Sequence, residues 1–166
     1  MASTHGFIAK STVGAGGAAY IEFTLIPQSY TDLVVFMSGR STTGSPDAGL
    51  QFNGEGSSNI SSKYMFSVDG SITNGSGGGF IALVGLPKSG TTSNTFGNVT
   101  IYISNYTSSQ YKPISVESVT SNNSTSEVFL ARTAAVYSSS ASITSLKLTG
   151  DFAQHSSAYL YGIKNS

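Results

Sequence analysis

The feature that most limits the possible folds is a recurring pattern of short segments in which apolar and polar residues alternate. In residues 19–25, Ile21, Phe23 and Leu25 fall on one face, and Tyr20, Glu22 and Thr24 fall on the other. A period of two residues is typical of a β-strand that is half covered by a core. Residues 98–104 repeat the pattern with apolar residues at 99, 101 and 103. The pattern therefore predicts strands rather than helices.

Turn-forming sequences separate these segments. Asn53-Gly54 and Asp69-Gly70 are the dipeptides that tight hairpin turns favour, because both residues accept positive φ. Residues 33–37 and 80–84 are continuously apolar, which predicts strands covered on both sides. About ten short strands without alternating helices predict an antiparallel sandwich or barrel.

Two segments do not follow this pattern clearly. Residues 127–137 fit a helix, because Ser124 and Glu127 match a capping box, but they also fit a period of two. We favour a strand, since the neighbouring segments all have the β pattern. Residues 75–79 contain four glycines, and we expect them to be mobile or tightly turned.

The charge content excludes several classes of protein. The 166-residue chain has eight basic and eight acidic residues, so that only 10% of its residues are charged and its net charge is zero. A nucleic-acid binder needs a basic surplus to displace counterions from phosphates, and a membrane-surface protein needs a polybasic segment. We therefore expect neither a nucleic-acid nor a membrane partner. The absence of cysteine excludes disulfides and thiolate metal sites.

The chain is predicted to consist of an N-terminal arm and one domain. Residues 1–18 form the predicted flexible arm, in which Phe7 and Ile8 are the large apolar residues and residues 14–17 a Gly-rich joint. Residues 19–166 form the predicted β-sandwich domain. We expect the arm to reach a neighbouring subunit or another surface and to bury Phe7 and Ile8 there; a frayed terminus is the alternative.

No catalytic, cofactor-binding or metal-ligating residue is predicted. His155 follows Asp151 by four residues, but no nucleophile-elbow motif accompanies them, and a solvated loop histidine is the better interpretation. The acidic residues are scattered singly, with no close pair for glycosidase chemistry. The nearest approach to a calcium loop, at residues 53–55, is more simply a turn. The sequence therefore indicates a protein that is not an enzyme and has no cofactor.

Tyrosines are the remaining candidates for a binding surface. Tyrosine is enriched where a protein contacts another protein or a sugar, because its ring is apolar and its hydroxyl forms hydrogen bonds. Five of them are predicted at or near outward-facing positions of the late strands and loops. They are Tyr102, Tyr106, Tyr111, Tyr159 and Tyr161. The alternative is that these rings fill the rim of a sandwich.

Several local sequences, in a fixed order, resemble a family of tailed-bacteriophage virion proteins. They are Ser29-Tyr-Thr-Asp-Leu33, Arg40, Phe52-Asn-Gly54, Asn59-Ile-Ser61, Ile103-Ser-Asn-Tyr106, Lys112, Ile143-Thr-Ser-Leu146 and Tyr159-Leu-Tyr-Gly-Ile163. The chain departs from the family where Ile60 replaces the usual aromatic residue and in having no late tryptophan. The resemblance implies a β-rich structural component of the virion, either in a tail or fibre protein or as a separate small protein.

We therefore expect an antiparallel β-sandwich of jelly-roll type that acts as a capsid decoration (cement) protein. Such a protein lies on the outer capsid surface of the virion, binds the major capsid protein and stabilises the shell. With so little charge we also expect self-association into a homo-oligomer, a homotrimer being favoured. One alternative is a tail-fibre or receptor-binding domain that recognises host surface carbohydrate. Another is a carbohydrate-binding module unconnected with virions.

Overall fold

The computed structural model describes residues 4–43, 48–55, 59–68, 70–78, 81–83, 85–123 and 128–164, and these residues form an all-β fold. The strands are β1 His5–Thr12, β2 Ala18–Phe23, β3 Asp32–Gly39, β4 Ala48–Phe52, β5 Ile60–Val68, β6 Ser71–Gly78, β7 Ile81–Leu83, β8 Gly97–Ile103, β9 Lys112–Ser121, β10 Val128–Tyr137, β11 Leu146–Phe152 and β12 Ser157–Ile163.

The strands form a large sheet and a small sheet. The large sheet has eight strands in the order β1-β12-β3-β8-β9-β10-β5-β6, and the small sheet has four in the order β2-β11-β4-β7. Every pair of neighbours is antiparallel. The sequence-based prediction of an antiparallel all-β fold is therefore confirmed.

One apolar core joins the two sheets, and the period of two decides which residues enter it. Strand β9 shows this most clearly, because buried and exposed residues alternate along all ten positions. Ile114 and Val116 of β9 belong to the same buried cluster as Leu50 of β4 and Leu148 of β11. The opposite face of the large sheet, which we call the outer face, points away from this core.

Strand β10 confirms the preference for a strand over a helix in this ambiguous region. Its ten residues pair with β9 without interruption, from Val128 opposite Ser121 to Tyr137 opposite Lys112. It also pairs with β5 on its other side. Two full ladders of hydrogen bonds outweigh a helix-capping signal, which acts at a single end. The capping residues 124–127 lie outside the described residues.

The glycine-rich segment differs from the expectation of a mobile or tightly turned region. Residues 75–78 belong to β6, which pairs with β5 throughout its length, and Gly79 lies outside the described residues. A Cβ atom at Gly75 would lie 2.6 Å from the ring of Tyr64 on β5. Glycine therefore lets an aromatic ring lie directly on the backbone of the neighbouring strand, which gives the strand a packing contact that its own side chain cannot supply.

The N-terminal segment also differs from the expected flexible arm. Residues 5–12 form β1, an edge strand that pairs with β12 of the same chain, with an irregularity between Phe7 and Ala9. Ile8 packs against the core of its own domain, whereas Phe7 stays on the outer face. Since β12 offers an unpaired row of backbone groups, the segment gains a full hydrogen-bonded ladder by joining it.

Leu25 was predicted to share the inward face of β2, and this is wrong. The strand ends at Phe23, Leu25 has a left-handed φ of 54°, and its side chain is 92% exposed. Ile26 is buried instead, and its backbone N–H donates to the Thr144 carbonyl at 3.0 Å. The left-handed backbone at Leu25 changes the direction in which successive side chains point, so that Ile26 rather than Leu25 faces the core.

Candidate functional site

Arg40 closes a loop rather than forming a binding site. Its half-buried guanidinium donates to the carbonyl oxygens of Lys88, Thr91, Thr92 and Thr95, at 2.8–3.2 Å. The hydroxyls of Thr91 and Thr95 also accept from it, at 3.2 and 3.0 Å. These bonds use both terminal nitrogens of a rigid, planar donor group. The arginine therefore holds residues 88–95 in a fixed path beside the start of β8.

Asn53 and Asp32 hold two further loops. The side-chain oxygen of Asn53 accepts from the backbone N–H of Thr144 and Ser145, at 2.8 and 3.2 Å, and its amide donates to the Ser142 carbonyl at 2.9 Å. The buried carboxylate of Asp32 accepts from the Asn105 backbone N–H at 2.8 Å. The turn predicted at Asn53-Gly54 is confirmed, with φ values of 53° and 67°.

Lys112 is fully buried at one end of the large sheet. Its ammonium donates to the carbonyl oxygens of Ser139 and Ala141, both at 2.7 Å, and lies 5.8 Å from the centre of the Tyr137 ring. Burial lowers its pKa, because the charged form loses hydration, and the nearby Glu55 partly opposes this effect. A buried charge that donates to two carbonyls ties the loop after β10 to the sheet.

Glu55 completes this buried network. Its Oε2 atom accepts from the Asn59 amide and from the Tyr137 hydroxyl, both at 2.8 Å. These two hydrogen bonds favour the charged carboxylate and lower the pKa of Glu55. Burial raises the pKa of Tyr137, since its phenolate would lose more hydration than the neutral ring. The network links the loop after β4 to the end of β10.

Two tyrosines of the resemblance also have structural positions. The ring of Tyr30 covers Gly6 and Gly162, where added Cβ atoms would lie 2.3 and 2.2 Å from its atoms. Tyr106 is fully buried, and its hydroxyl donates to the Pro27 carbonyl. Burial raises the pKa of Tyr106. Tyr30 and Tyr106, like Arg40 and Asn53, thus fix loops or close contacts around the core.

The predicted outward tyrosines divide into three groups. Tyr106 was predicted at the surface and is in the core, because the turn after β8 directs it inward; this prediction is wrong. Tyr111 is 65% exposed on a loop. Tyr102, Tyr159 and Tyr161 lie half-buried on the outer face. The Tyr102 hydroxyl donates to Asp32 Oδ2 at 2.6 Å, and this bond raises the pKa of Tyr102.

Four aromatic residues form a patch on the outer face at its β1 edge. We call Phe7, Phe36, Tyr159 and Tyr161 the aromatic patch. The Tyr161 ring meets Phe7 and Phe36 edge to face, with centroids 5.7 and 5.9 Å apart. Phe7 is 59% exposed and Phe36 is 48% exposed. The Lys10 ammonium lies 5.2 Å from the centre of the Tyr159 ring.

Sequence reasoning missed most of this patch. Phe36 lies within a continuously apolar strand, which was interpreted as covered on both sides, and Phe7 was assigned to the arm. The patch forms because β1 pairs with β12 and β12 pairs with β3. Only that strand order, which spans almost the whole chain, brings the rings together.

A groove crosses the other half of the outer face. Outward residues of β5, β6, β8, β9 and β10 line it, so this part of the sheet is concave. It is open to solvent and has a volume of about 630 Å³, and an adjoining open space of about 550 Å³ shares Lys63, Ser76 and Ala134 with it. We call this continuous space the outer groove. Each of the two spaces taken alone has a volume in the range of ligand pockets, roughly 300–1,000 Å³.

The remaining candidates for chemistry are two exposed histidines. His155 is exposed in the turn before β12 with a φ of 72°, as a solvated loop histidine would be, and His5 is exposed on β1. Among the described residues, no three His, Asp or Glu side chains come together as metal ligands would. The described part of the chain likewise has no helix with the length and apolar character needed to cross a membrane.

Comparison of this chain with protein-family models, with curated proteins and with solved structures finds no match.

Proposed function

We propose that this protein is a structural component of a bacteriophage virion, a decoration (cement) protein on the outer capsid surface. It binds the major capsid protein and itself, a homotrimer being favoured. The observation that carries the proposal is the aromatic patch, an exposed group of rings on a rigid sheet. The ordered resemblance to tailed-phage virion proteins supports the same assignment.

The patch has the composition of a protein interface. Aromatic residues are enriched at the centres of such interfaces, and a contiguous exposed apolar area on a small domain marks an interaction site. The weak charge of the chain adds little repulsion between copies, since the net charge is zero. Each copy on a shell would bury the patch at an equivalent position, so that modest contacts sum over many copies.

The strand order supports the finer proposal of a jelly-roll. The small sheet, β2-β11-β4-β7, has the order of one jelly-roll sheet, in which the first strand neighbours the last. The other sheet of a jelly-roll has four strands. The run β3-β8-β9-β10-β5-β6 has the same order if the three consecutive strands β8, β9 and β10 together replace one of those four. In this interpretation β12 and β1 extend the second sheet, and they contribute three of the four rings of the aromatic patch.

The proposal is tested by locating the protein on the particle and by altering the patch. Cryo-electron microscopy of the virion should show its density over the capsid shell; density at the tail tip would contradict the proposal. The double variant F7A/F36A should lose occupancy on particles that lack the protein, and it should sediment as a smaller species than the original chain.

Ile72→Ala is the matched control for the patch. Ile72 is 73% exposed on β6, at the opposite edge of the same sheet, so its truncation removes exposed apolar surface outside the patch. This variant should keep both its occupancy and its oligomeric state. If F7A/F36A behaves like I72A in both measurements, the aromatic patch is not the interface.

A further inference from the structure

The outer groove has small side chains at its centre and larger ones around them. Ser115 of β9 and Ala134 of β10 lie directly opposite each other, between Tyr102 of β8 and Lys63 of β5. The next row of paired residues across the same strands contains Thr100, Glu117, Arg132 and Met65. The small side chains of Ser115 and Ala134 leave an open space, and the larger side chains around them form its walls.

Two of the three charged side chains that line the groove, Glu117 and Arg132, form an ion pair, and Lys63 is the third. Arg132 Nη2 donates to Glu117 Oε1 at 2.9 Å, and the two side chains are 66% and 51% exposed. An exposed pair of this kind contributes little to folding, because water screens its charges. One bond joins the pair, so Glu117 Oε2 and the other guanidinium N–H groups are available to a ligand. The groove therefore offers a charged acceptor and a charged donor side by side.

A hydroxyl group matches such a pair, because it donates to the carboxylate and accepts from the guanidinium at once. Two neighbouring hydroxyls can engage both charged groups without leaving an unpaired charge. The ring of Tyr102, held by its bond to Asp32, supplies a fixed apolar surface beside them. Hydroxyls on an otherwise apolar ring are the chemistry of a saccharide.

The shape of the groove favours a chain over a single sugar. The two adjoining spaces extend from the Glu117–Arg132 pair past Ala134 to Pro113 and Val136, along the strand direction. Asn74 and Ser76 of β6 add polar side chains along one side. We propose that the outer groove binds a polysaccharide, with Glu117 and Arg132 holding hydroxyl groups of one sugar unit. This inference does not depend on the proposed position on the capsid.

The test is affinity electrophoresis of the purified protein through gels that contain dextran, mannan, alginate or hyaluronan. The first two are neutral and the last two are acidic, so the panel separates hydroxyl recognition from attraction of carboxylates to Lys63. We expect at least one polysaccharide to retard the protein. Ala134→Trp should abolish the retardation by filling the groove at an exposed position.

A second variant tests the hydroxyl contact itself. Glu117→Gln should weaken binding about tenfold or more, the usual effect of losing a hydrogen bond to a charged group. Glu22→Gln is the matched control, because Glu22 forms the other surface ion pair among the described residues, 3.4 Å from Lys147 on the small sheet. Relative to its own mobility in a gel without polysaccharide, E22Q should be retarded as strongly as the original chain.

Three results would overturn the inference. The first is the absence of retardation by any of the four polysaccharides. The second is retardation that A134W leaves unchanged. The third is a change in the sedimentation coefficient of A134W, which would make the groove a contact between copies. Thermal unfolding of A134W and E117Q at the original midpoint would show that a loss of retardation is not a loss of fold.

Discussion

Arg40 and Arg132 are the two arginines of this chain, and they have opposite environments. Arg40 is half-buried and donates to four carbonyls, whereas Arg132 is exposed in one ion pair. We predict that Arg40→Lys destabilises the protein by about 1–3 kcal/mol, because an ammonium cannot reproduce the planar fork and leaves carbonyls unpaired. Urea unfolding at pH 7 measures the loss.

Arg132→Lys is the control for this comparison, since it makes the same chemical change at the surface. We expect it to cost less than about 1 kcal/mol. Equal losses in R40K and R132K would show that the loop at residues 88–95 does not depend on the guanidinium of Arg40.

Gly162 is a second residue whose identity matters for packing, because any side chain there would collide with a neighbouring ring. A Cβ atom there would lie 2.2 Å from the ring of Tyr30, and the ring also covers Gly6. We predict that Gly162→Ala destabilises the protein by about 1–3 kcal/mol through overpacking. Differential scanning calorimetry should show a lower melting temperature.

Gly14→Ala is the matched control, because no atom lies within 4 Å of its Cβ position. It should change the free energy of unfolding by no more than about 0.5 kcal/mol. A G162A variant that melts like G14A would mean that the Tyr30 ring moves aside at little cost.

At the level of the elements, alternation of apolar and polar residues was sufficient to predict β2 and β8, because each has one buried and one exposed face. The same signal did not predict β6 and β1, because contacts with other strands, rather than alternation within their own sequences, stabilise these two strands. Strand β6 is stabilised by its ladder to β5 and by the Tyr64 ring over Gly75, neither of which appears in its own sequence. Strand β1 depends on the free edge of β12, more than 140 residues later.

The groove and the patch lay beyond prediction for a related reason. Each is built from strands that are neighbours only in the final strand order, and the sequence does not contain that order. Glu117 and Arg132 face each other because β9 and β10 pair in one register, and a shift by one residue would separate them. Among the residues of the resemblance, Arg40, Asn53 and Lys112 fix loops, whereas Tyr159 and Tyr161 belong to the aromatic patch.

Strand β1 leads to a prediction about the edge of the large sheet. Removing residues 1–12 would expose the backbone groups of β12 along the whole ladder. We expect a lower melting temperature and increased light scattering, because an uncovered edge strand pairs with other chains. A chain that lacks only residues 1–3 is the control, since β1 begins at His5. Identical melting of the two truncated chains would contradict a stabilising role for β1.

For the whole molecule, stability should depend on pH through Glu55. Its pKa is lower in the folded protein than its ordinary value of 4.5, because Asn59 and Tyr137 donate to the carboxylate. The carboxylate therefore stabilises the fold above about pH 4.5, and this contribution is lost as the pH falls through the folded pKa. The protein should unfold at lower urea concentrations in acid.

Glu55→Gln tests the origin of this acid sensitivity. The variant should be less stable than the original chain at pH 7, and the difference should shrink towards pH 3.5 as the original chain loses its charged carboxylate. Glu117→Gln, which removes an equal charge from an exposed position, is the control for the loss of one negative charge. Urea unfolding of all three proteins at pH 7, 5 and 3.5 makes the comparison.

The pairing of β1 with β12 also determines how the molecule would respond to mechanical load. His5, at the start of β1, lies opposite Ile163, at the end of β12, and the Lys164 N–H donates to the Thr4 carbonyl at 3.0 Å. A pull that separates the two ends of the described chain would act on this outermost hydrogen bond first and then on each following one in turn. Because its hydrogen bonds break one at a time, such a ladder separates at low force. A ladder that is pulled along its strands resists a higher force, because many hydrogen bonds must break at the same moment. A tether through both ends of the described chain would therefore peel β1 away from β12 and open the large sheet from this edge.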